Sequence, residues 1–234
     1  MKKSFYSLLI AAVFSLGSLC ASGAEATAQA IVLKVKGSPT AIFAGQTQSV
    51  VLKVGDKLPQ GVTIVTSSDS EVAIQAFNGA VSTIKAGTTV NLEKLSVTTS
   101  GGAVTKQTAL LNLKVGSIVS NIDPANHNIN DYGIRTPKGV AAARGTVYEV
   151  NVSATGAVQV FVTNSVVDFV GPNGVTVRVQ AGYQVTVDAN GNISTPILAP
   201  STPTEGAKEV GDKTAGTPDF NPETNNNEPV SQMQ

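Results

Sequence analysis

Few residues of this chain have the types and spacing that chemistry needs. It contains one cysteine, Cys20, and one histidine, His127. A Cys/His zinc site needs four ligands, and a cysteine nucleophile needs a base beside it, so the chain alone can build neither. Ser, Thr and Asp are plentiful, but there is no nucleophile elbow, phosphate-cradling loop or paired-carboxylate motif. A glycosidase asks for only two acids, so a hydrolase of cell-wall polymers stays open as the weakest reading. The absence of Trp and an aromatic content of 5% speak against the stacking cleft it would need. Asp188-Ala189-Asn190-Gly191-Asn192 opens like a calcium loop. It lacks the fifth-position acid and the late bidentate Glu, and a hairpin turn accounts for every residue. His127, within Pro124-Ala125-Asn126-His127-Asn128, reads as a solvated loop residue. Asn151-Val152-Ser153 and Asn192-Ile193-Ser194 fit the glycosylation triplet, which matters only on a eukaryotic secretory route. No metal, cofactor or catalytic residue is expected, and the chain is read as no enzyme.

Arg144 stands out by its neighbours. It lies between Ala141-Ala142-Ala143 and Gly145-Thr146. Small neighbours let backbones approach closely, and a planar guanidinium can bond carbonyls or a carboxylate across strands. An Arg in an apolar β run needs a partner wherever it is buried. Arg144 is therefore expected to staple two strands, with Asp131 or Glu149 as partner. The other reading is contact with a ligand carboxylate or a peptide.

The elements that would position such residues follow from composition. The chain has 234 residues, and its 16 Lys+Arg balance 16 Asp+Glu. Zero net charge gives no long-range pull on nucleic acid, so no nucleic-acid partner is expected. The length suits one modest domain or two small ones. Twenty-two glycines, with abundant Val and Thr, point to an all-β chain with tight turns.

The two ends read differently from the middle. Met1-Lys2-Lys3 and an apolar run from Leu8 to Cys20 form a secretory signal peptide, followed by Ser22-Gly23-Ala24. Cleavage is placed after Ala24, giving a signal at 1–24; Ala26 and Ala28 offer alternative sites. The run is short of the roughly 20 residues that span a bilayer, so no transmembrane segment is expected in the mature chain; an uncleaved anchor is the bland alternative. Leu19 before Cys20 breaks the lipoprotein pattern. Residues 195–234 hold six of the 11 prolines. Two lysines there face six acids, a formal charge of −4. Such a stretch buries too little apolar surface to offset its ordering entropy, and is expected to be a disordered acidic tail, a spacer or a docking peptide.

Between Ala30 and Ser194 the apolar period is two. Val175, Val177 and Val179 alternate with Thr176, Arg178 and Gln180; Tyr148, Val150 and Val152 alternate with Glu149, Asn151 and Ser153. Val158-Gln159-Val160-Phe161-Val162 is apolar enough for cover on both faces. Asn78-Gly79, Ala86-Gly87, Asn173-Gly174, Ala181-Gly182 and Asn190-Gly191 punctuate the strands. Short strands at this spacing mean a sandwich, barrel or β-solenoid. Residues 78–92 and 173–187 share one order: turn, alternating strand, Ala-Gly, alternating strand. Leu52-Lys53-Val54-Gly55 returns as Leu113-Lys114-Val115-Gly116. These echoes suggest stacked units, a first at 30–95 and a second at 110–194.

The segment from Thr136-Pro137 through Ala143-Arg144-Gly145-Thr146 to Tyr148 and Val150 resembles the signature of the FecR domain family. The valine-rich strands at 158–162 and 166–170 and the later Ala181-Gly182 fit as well. Gly55-Asp56-Lys57-Leu58 and Thr66-Ser67-Ser68-Asp69-Ser70 look like the family's opening. The resemblance runs over 50–194, strongest from Leu113 to Val187. It implies an extracytoplasmic all-β domain, a β-solenoid or jelly-roll-like stack of short antiparallel strands. In the best-known members that domain belongs to an anti-sigma regulator that relays a receptor's signal through a membrane helix. This chain shows no cytoplasmic segment before its apolar run, so a stand-alone exported version is expected, in the periplasm or outside the cell. Thr136, Pro137, Ala143, Arg144, Gly145, Thr146, Tyr148, Val150, Ala181 and Gly182 are the motif residues, read as structural. The expected work is non-catalytic: binding an unknown envelope protein, or receiving a signal, by strand-edge pairing. The rival is an architectural protein that self-associates through the same edges.

Overall fold

The computed structural model describes residues 23–200. The expected signal peptide lies outside them apart from Gly23 and Ala24, and so does the tail beyond Pro200.

Alternating valines and threonines favour extended backbone, and strands fill the described residues. The order is β1 (Ala24–Thr27), β2 (Gln29–Lys36), β3 (Thr40–Ile42), β4 (Ser49–Val51), β5 (Lys57–Pro59), β6 (Thr63–Val65), β7 (Glu71–Phe77), β8 (Ala80–Ile84), β9 (Thr89–Ser100) and the long β10 (Ala103–Ile122). A 3-10 turn, Pro124–Asn126, leads to β11 (Asn130–Thr136), β12 (Gly139–Ala143), β13 (Val147–Val152) and β14 (Val158–Val162). Then come β15 (Val166–Val170), β16 (Thr176–Gln180), β17 (Tyr183–Val187) and β18 (Ile197–Leu198). The all-β reading stands. Ile197–Leu198, expected to be tail, is instead a strand paired with β17.

The ladders build one open sheet with two arms that meet at β10. The first arm runs β4-β3-β6-β9-β10-β11-β12-β15-β16, with β1 beside the far half of β9. The second runs β5-β2-β7-β8-β10-β13-β14-β17-β18. Only β10 with β11 is parallel. Strand β10 serves both arms: its first part pairs with β9 and β11, and from Gly116 onward it pairs with β8 and β13. Gly116 has φ +98°, and a Cβ there would meet the Cα of Thr88 at 2.5 Å, so only glycine fits.

The arms face each other across one apolar cluster. Ile64, Leu92, Leu111, Ile134 and Phe169 come from the first arm; Val32, Ile74, Ile118, Val150 and Val185 come from the second. Both expected units, 30–95 and 110–194, contribute to it. Each fully buried aliphatic side chain contributes about 1.5–3 kcal/mol. Polar groups also cross the layer. The Tyr132 hydroxyl on β11 lies 2.5 Å from Ser82 Oγ on β8 and 3.0 Å from Ser120 Oγ on β10. Burial drives the Tyr132 phenol up, against those two hydroxyls.

At most of its crossings the chain passes from arm to arm at a residue of positive φ. Gly37, Gly55, Gly61, Gly87, Gly116, Gly145 and Gly182 make such crossings, and Ser165 makes one at φ 60°. The sequence echoes thus acquire a meaning. Both Leu-Lys-Val-Gly segments turn the chain from the first arm to the second, and both Ala-Gly pairs are crossings, although they read like hairpin turns.

Candidate functional site

Register sets the side chains on the outer face of the first arm. Gly133 on β11 faces Ala142 on β12, Ala142 faces Asp168 on β15, and Asp168 faces Arg178 on β16. Ala142 is too small to fill its place in this row. A depression of about 510 Å³ results, lined by Ala142, Arg144, Ser165, Val166, Asp168 and Arg178.

Arg178 grips Asp168 with two prongs, Nε to Oδ1 at 2.8 Å and Nη2 to Oδ2 at 3.1 Å. Those hydrogen bonds hold the Asp168 carboxyl below its usual range, and the charges of Arg178 and Arg144 add to them. A carboxylate so engaged is a weak base. Arg144 is exposed, and no hydrogen bond or ion pair engages it among the described residues. This corrects the expected staple. Asp131 pairs instead with Lys106 at 2.9 Å, and Glu149 accepts from Ser117 Oγ at 2.5 Å. The remaining arginine, Arg135, donates from Nε to both oxygens of Glu93 at 3.0 Å. Two guanidiniums against one carboxylate leave the depression with an excess positive charge. A guanidinium so placed can take a carboxylate through two parallel hydrogen bonds.

The other motif residues hold the fold around the depression without lining it. Ala143, Tyr148 and Val150 are buried in the core. Gly145, at φ +105°, passes so close to the 3-10 turn that a Cβ would stand 2.6 Å from Pro124 Cα. Thr146 Oγ1 donates to the carbonyl of Asn164, and Thr163 N donates to Val147 O at 2.8 Å. These bonds tie the β14–β15 crossing, and Ser165 with it, beside Arg144. Thr136 Oγ1 donates to Gly139 O at 3.0 Å and accepts from Lys138 N at 3.2 Å. Pro137 therefore sits in the β11–β12 turn. Ala181 N donates to Ser165 O at 2.9 Å, and Gly182 N to Val162 O at 2.7 Å, so this pair braces the same corner.

Two other expectations resolve simply. Asp188 Oδ1 accepts from the backbone of Asn190 and Asn192, each at 2.9 Å, and Oδ2 accepts from Asn192 Nδ2 at 2.8 Å. The loop is a closed hairpin turn, and the Asn192 side chain leads in drawing the Asp188 carboxyl below its usual range. His127 is exposed at the 3-10 turn, with Nδ1 3.1 Å from Pro124 O.

Ser165, Asp168 and Arg178 were not singled out in the sequence. The Asn173-Gly174 turn held the signal for two of them, because strands folding back there bring Asp168 opposite Arg178. Ser165 gave none, since nothing local announces a crossing.

Residues 62–168 match the model of a family described as FecR protein. The match lies within the expected span of 50–194 and contains the Ala143-Arg144-Gly145-Thr146 motif. It leaves out Arg178, Ala181 and Gly182. No curated protein matches the chain. Two crystal structures of a candidate anti-sigma factor from Parabacteroides distasonis ATCC 8503 are similar, each with a TM-score of 0.47 and 17% identity. The similarity covers 58% of this chain and 59% of theirs, so the chain spans about three-fifths of their length.

Proposed function

We propose that this FecR-like chain is an exported, non-catalytic binding domain that receives a signal in the cell envelope by holding an acidic group of another protein. The observation that carries the reading is Arg144. The motif's other residues are consumed by the fold, while among the described residues its guanidinium makes no hydrogen bond or ion pair and lines a depression with excess positive charge. The resemblance to FecR proteins supports an envelope location and a regulatory task. Within the expected stack of strands, the face-to-face arms favour the jelly-roll-like form. The test is affinity capture from envelope extract with the exported chain and with Arg144→Gln. A protein held by the first and released by the second is expected; no capture, or equal capture by both, contradicts the proposal.

A second reading has its own observation. The arms end in open strands, and apolar residues lie exposed there: Val50 and Val51 (both 50%) on β4, Ile197 (52%) and Leu198 (72%) on β18. Unpaired edges of this kind template pairing with another chain. An architectural, self-associating protein would use them. Sedimentation at rising concentration separates the readings, since a monomer throughout rejects self-association.

A further inference from the structure

We propose that the lysine-rich edge formed by β2, β5 and the turn at 53–56 docks on an anionic lipid surface. Register builds this edge. Strand β2 pairs Ile31 with Gln75; a bulge between Val32 and Lys34 then shifts the register, so that Lys34 faces Ala73 and Lys36 faces Glu71. The bulge turns Lys34 and Lys36 to the same outer face as Ile31, while Ala30 and Val32 point into the core. Lys57 on β5 lies opposite Ile31 and is exposed, with Leu58 beside it fully buried. The turn is tied to the same edge, because Gly55 N donates to Val32 O at 2.8 Å and Val32 N to Asp56 O at 3.0 Å. It carries the exposed Lys53 and, with 65% of its surface open, Val54. Four lysines and two exposed aliphatic side chains, Ile31 and Val54, thus share one edge of the second arm.

Charge and residue type select the partner. The carboxylates at this end are engaged: Glu71 pairs with Lys85 at 3.7 Å, Asp69 accepts from Ser67 Oγ at 2.7 Å, and Asp56 accepts from Lys53 N at 2.8 Å. Among the described residues no ion pair holds Lys36, Lys53 or Lys57. Neighbouring lysines on the sheet stand about 7–10 Å apart, within a Debye length, so their fields add. The three described arginines lie elsewhere, on or beside β11, β12 and β16. Protein interfaces favour Arg and are depleted in Lys, whereas a compact ammonium suits a fluid array of phosphate headgroups. Lys57 and Pro59 bar the β5 edge to another strand. Ile31 and Val54 stand among the charges, where aliphatic side chains enter the headgroup layer. The depression lies at the other end of the strand order, between β12 and β16. This inference therefore goes beyond the binding role proposed above and does not depend on it.

The chain has no Trp, so Val54→Trp introduces a single reporter. In the purified exported chain its emission is expected to shift to the blue on vesicles of phosphatidylcholine with about 30% phosphatidylglycerol, and not on phosphatidylcholine alone. Val104→Trp, on the exposed start of β10, should not shift. Co-sedimentation of the Trp-free chain measures partition onto the same vesicles. Each lysine lost should weaken it about fivefold, so K36Q/K53Q/K57Q lowers it about a hundredfold. K94Q/K106Q/K114Q removes the same charge elsewhere and should hold partition within about threefold of the original. No partition, equal loss in the two triple variants, or an equal shift at position 104 overturns the proposal. Binding to poly-glutamate without partition onto vesicles assigns the edge to an acidic protein and overturns it too. The readout needs vesicles alone, so its failure is distinct from failure of envelope capture.

Discussion

Arg178 and Asp168 form a two-pronged pair across β15 and β16, at 2.8 and 3.1 Å, and the nearby Arg144 acts on that carboxylate by its charge, with no hydrogen bond or ion pair of its own among the described residues. The two arginines differ in what they hold, so their loss should differ. The Arg178 pair is exposed, with 67% and 40% of its side-chain surfaces open, and solvent screens such pairs strongly. Arg178→Gln is expected to lower stability slightly. Arg144→Gln should leave stability within about 0.5 kcal/mol of the original. Urea denaturation of the two variants measures both.

Most of the arm crossings use glycine at positive φ, and Ser165 is the non-glycine residue among them, at φ 60°. A non-glycine residue in this region carries a strain of about 1 kcal/mol. Ser165→Gly is expected to raise the free energy of unfolding by about that much, because glycine adopts the conformation freely. A loss of stability would mean that the Ser165 side chain contributes more than its strain.

Two buried tyrosines predict opposite signs. Tyr132 holds Ser82 and Ser120, whereas the Tyr148 hydroxyl is buried without a hydrogen-bond partner among the described residues. Tyr132→Phe should destabilise by about 1 kcal/mol. Tyr148→Phe should be neutral or stabilising by about 1 kcal/mol, since it removes a desolvated group that gains nothing. Thermal melts of both variants test the contrast.

The same residues set an alkaline limit. Burial raises both phenols, Tyr148 well above its ordinary value and with a further push from Tyr132. The unfolded chain releases these protons first as pH passes about 10, so the native state then binds more protons and stability falls with rising pH. Below that pH the contribution is flat. The tyrosinate absorbance of Tyr132 and Tyr148 should appear together with loss of the β-sheet circular dichroism signal. Ionisation well before unfolding would contradict their burial.

Much of the fold was legible in alternation. Val177 and Val179, Val150 and Val152, and Val160 through Val162 fall on strands as their spacing implies, and the apolar 158–162 stretch is buried at all but Gln159. Which arm a strand joins was not legible, because a period of two marks a buried face without naming the sheet. Ala86-Gly87 and Ala181-Gly182 look like hairpin turns for that reason, yet they carry the chain between layers. Arg144 was visible as unusual, but its expected partners were claimed from far along the chain. Lys106 reaches Asp131 from β10, and Ser117 reaches Glu149 from the same strand. Long-range register decided that outcome, and no local pattern encodes it.

The most direct test of Arg144 as a binding residue is photo-crosslinking in cells. Val166→p-benzoylphenylalanine places the probe in the depression, and Val104→p-benzoylphenylalanine places one on the exposed start of β10. An adduct with another protein is expected at position 166 that disappears when Arg144→Gln is added, with no such adduct at 104. Equal adducts at both positions, or one at 166 that survives the loss of Arg144, would contradict it.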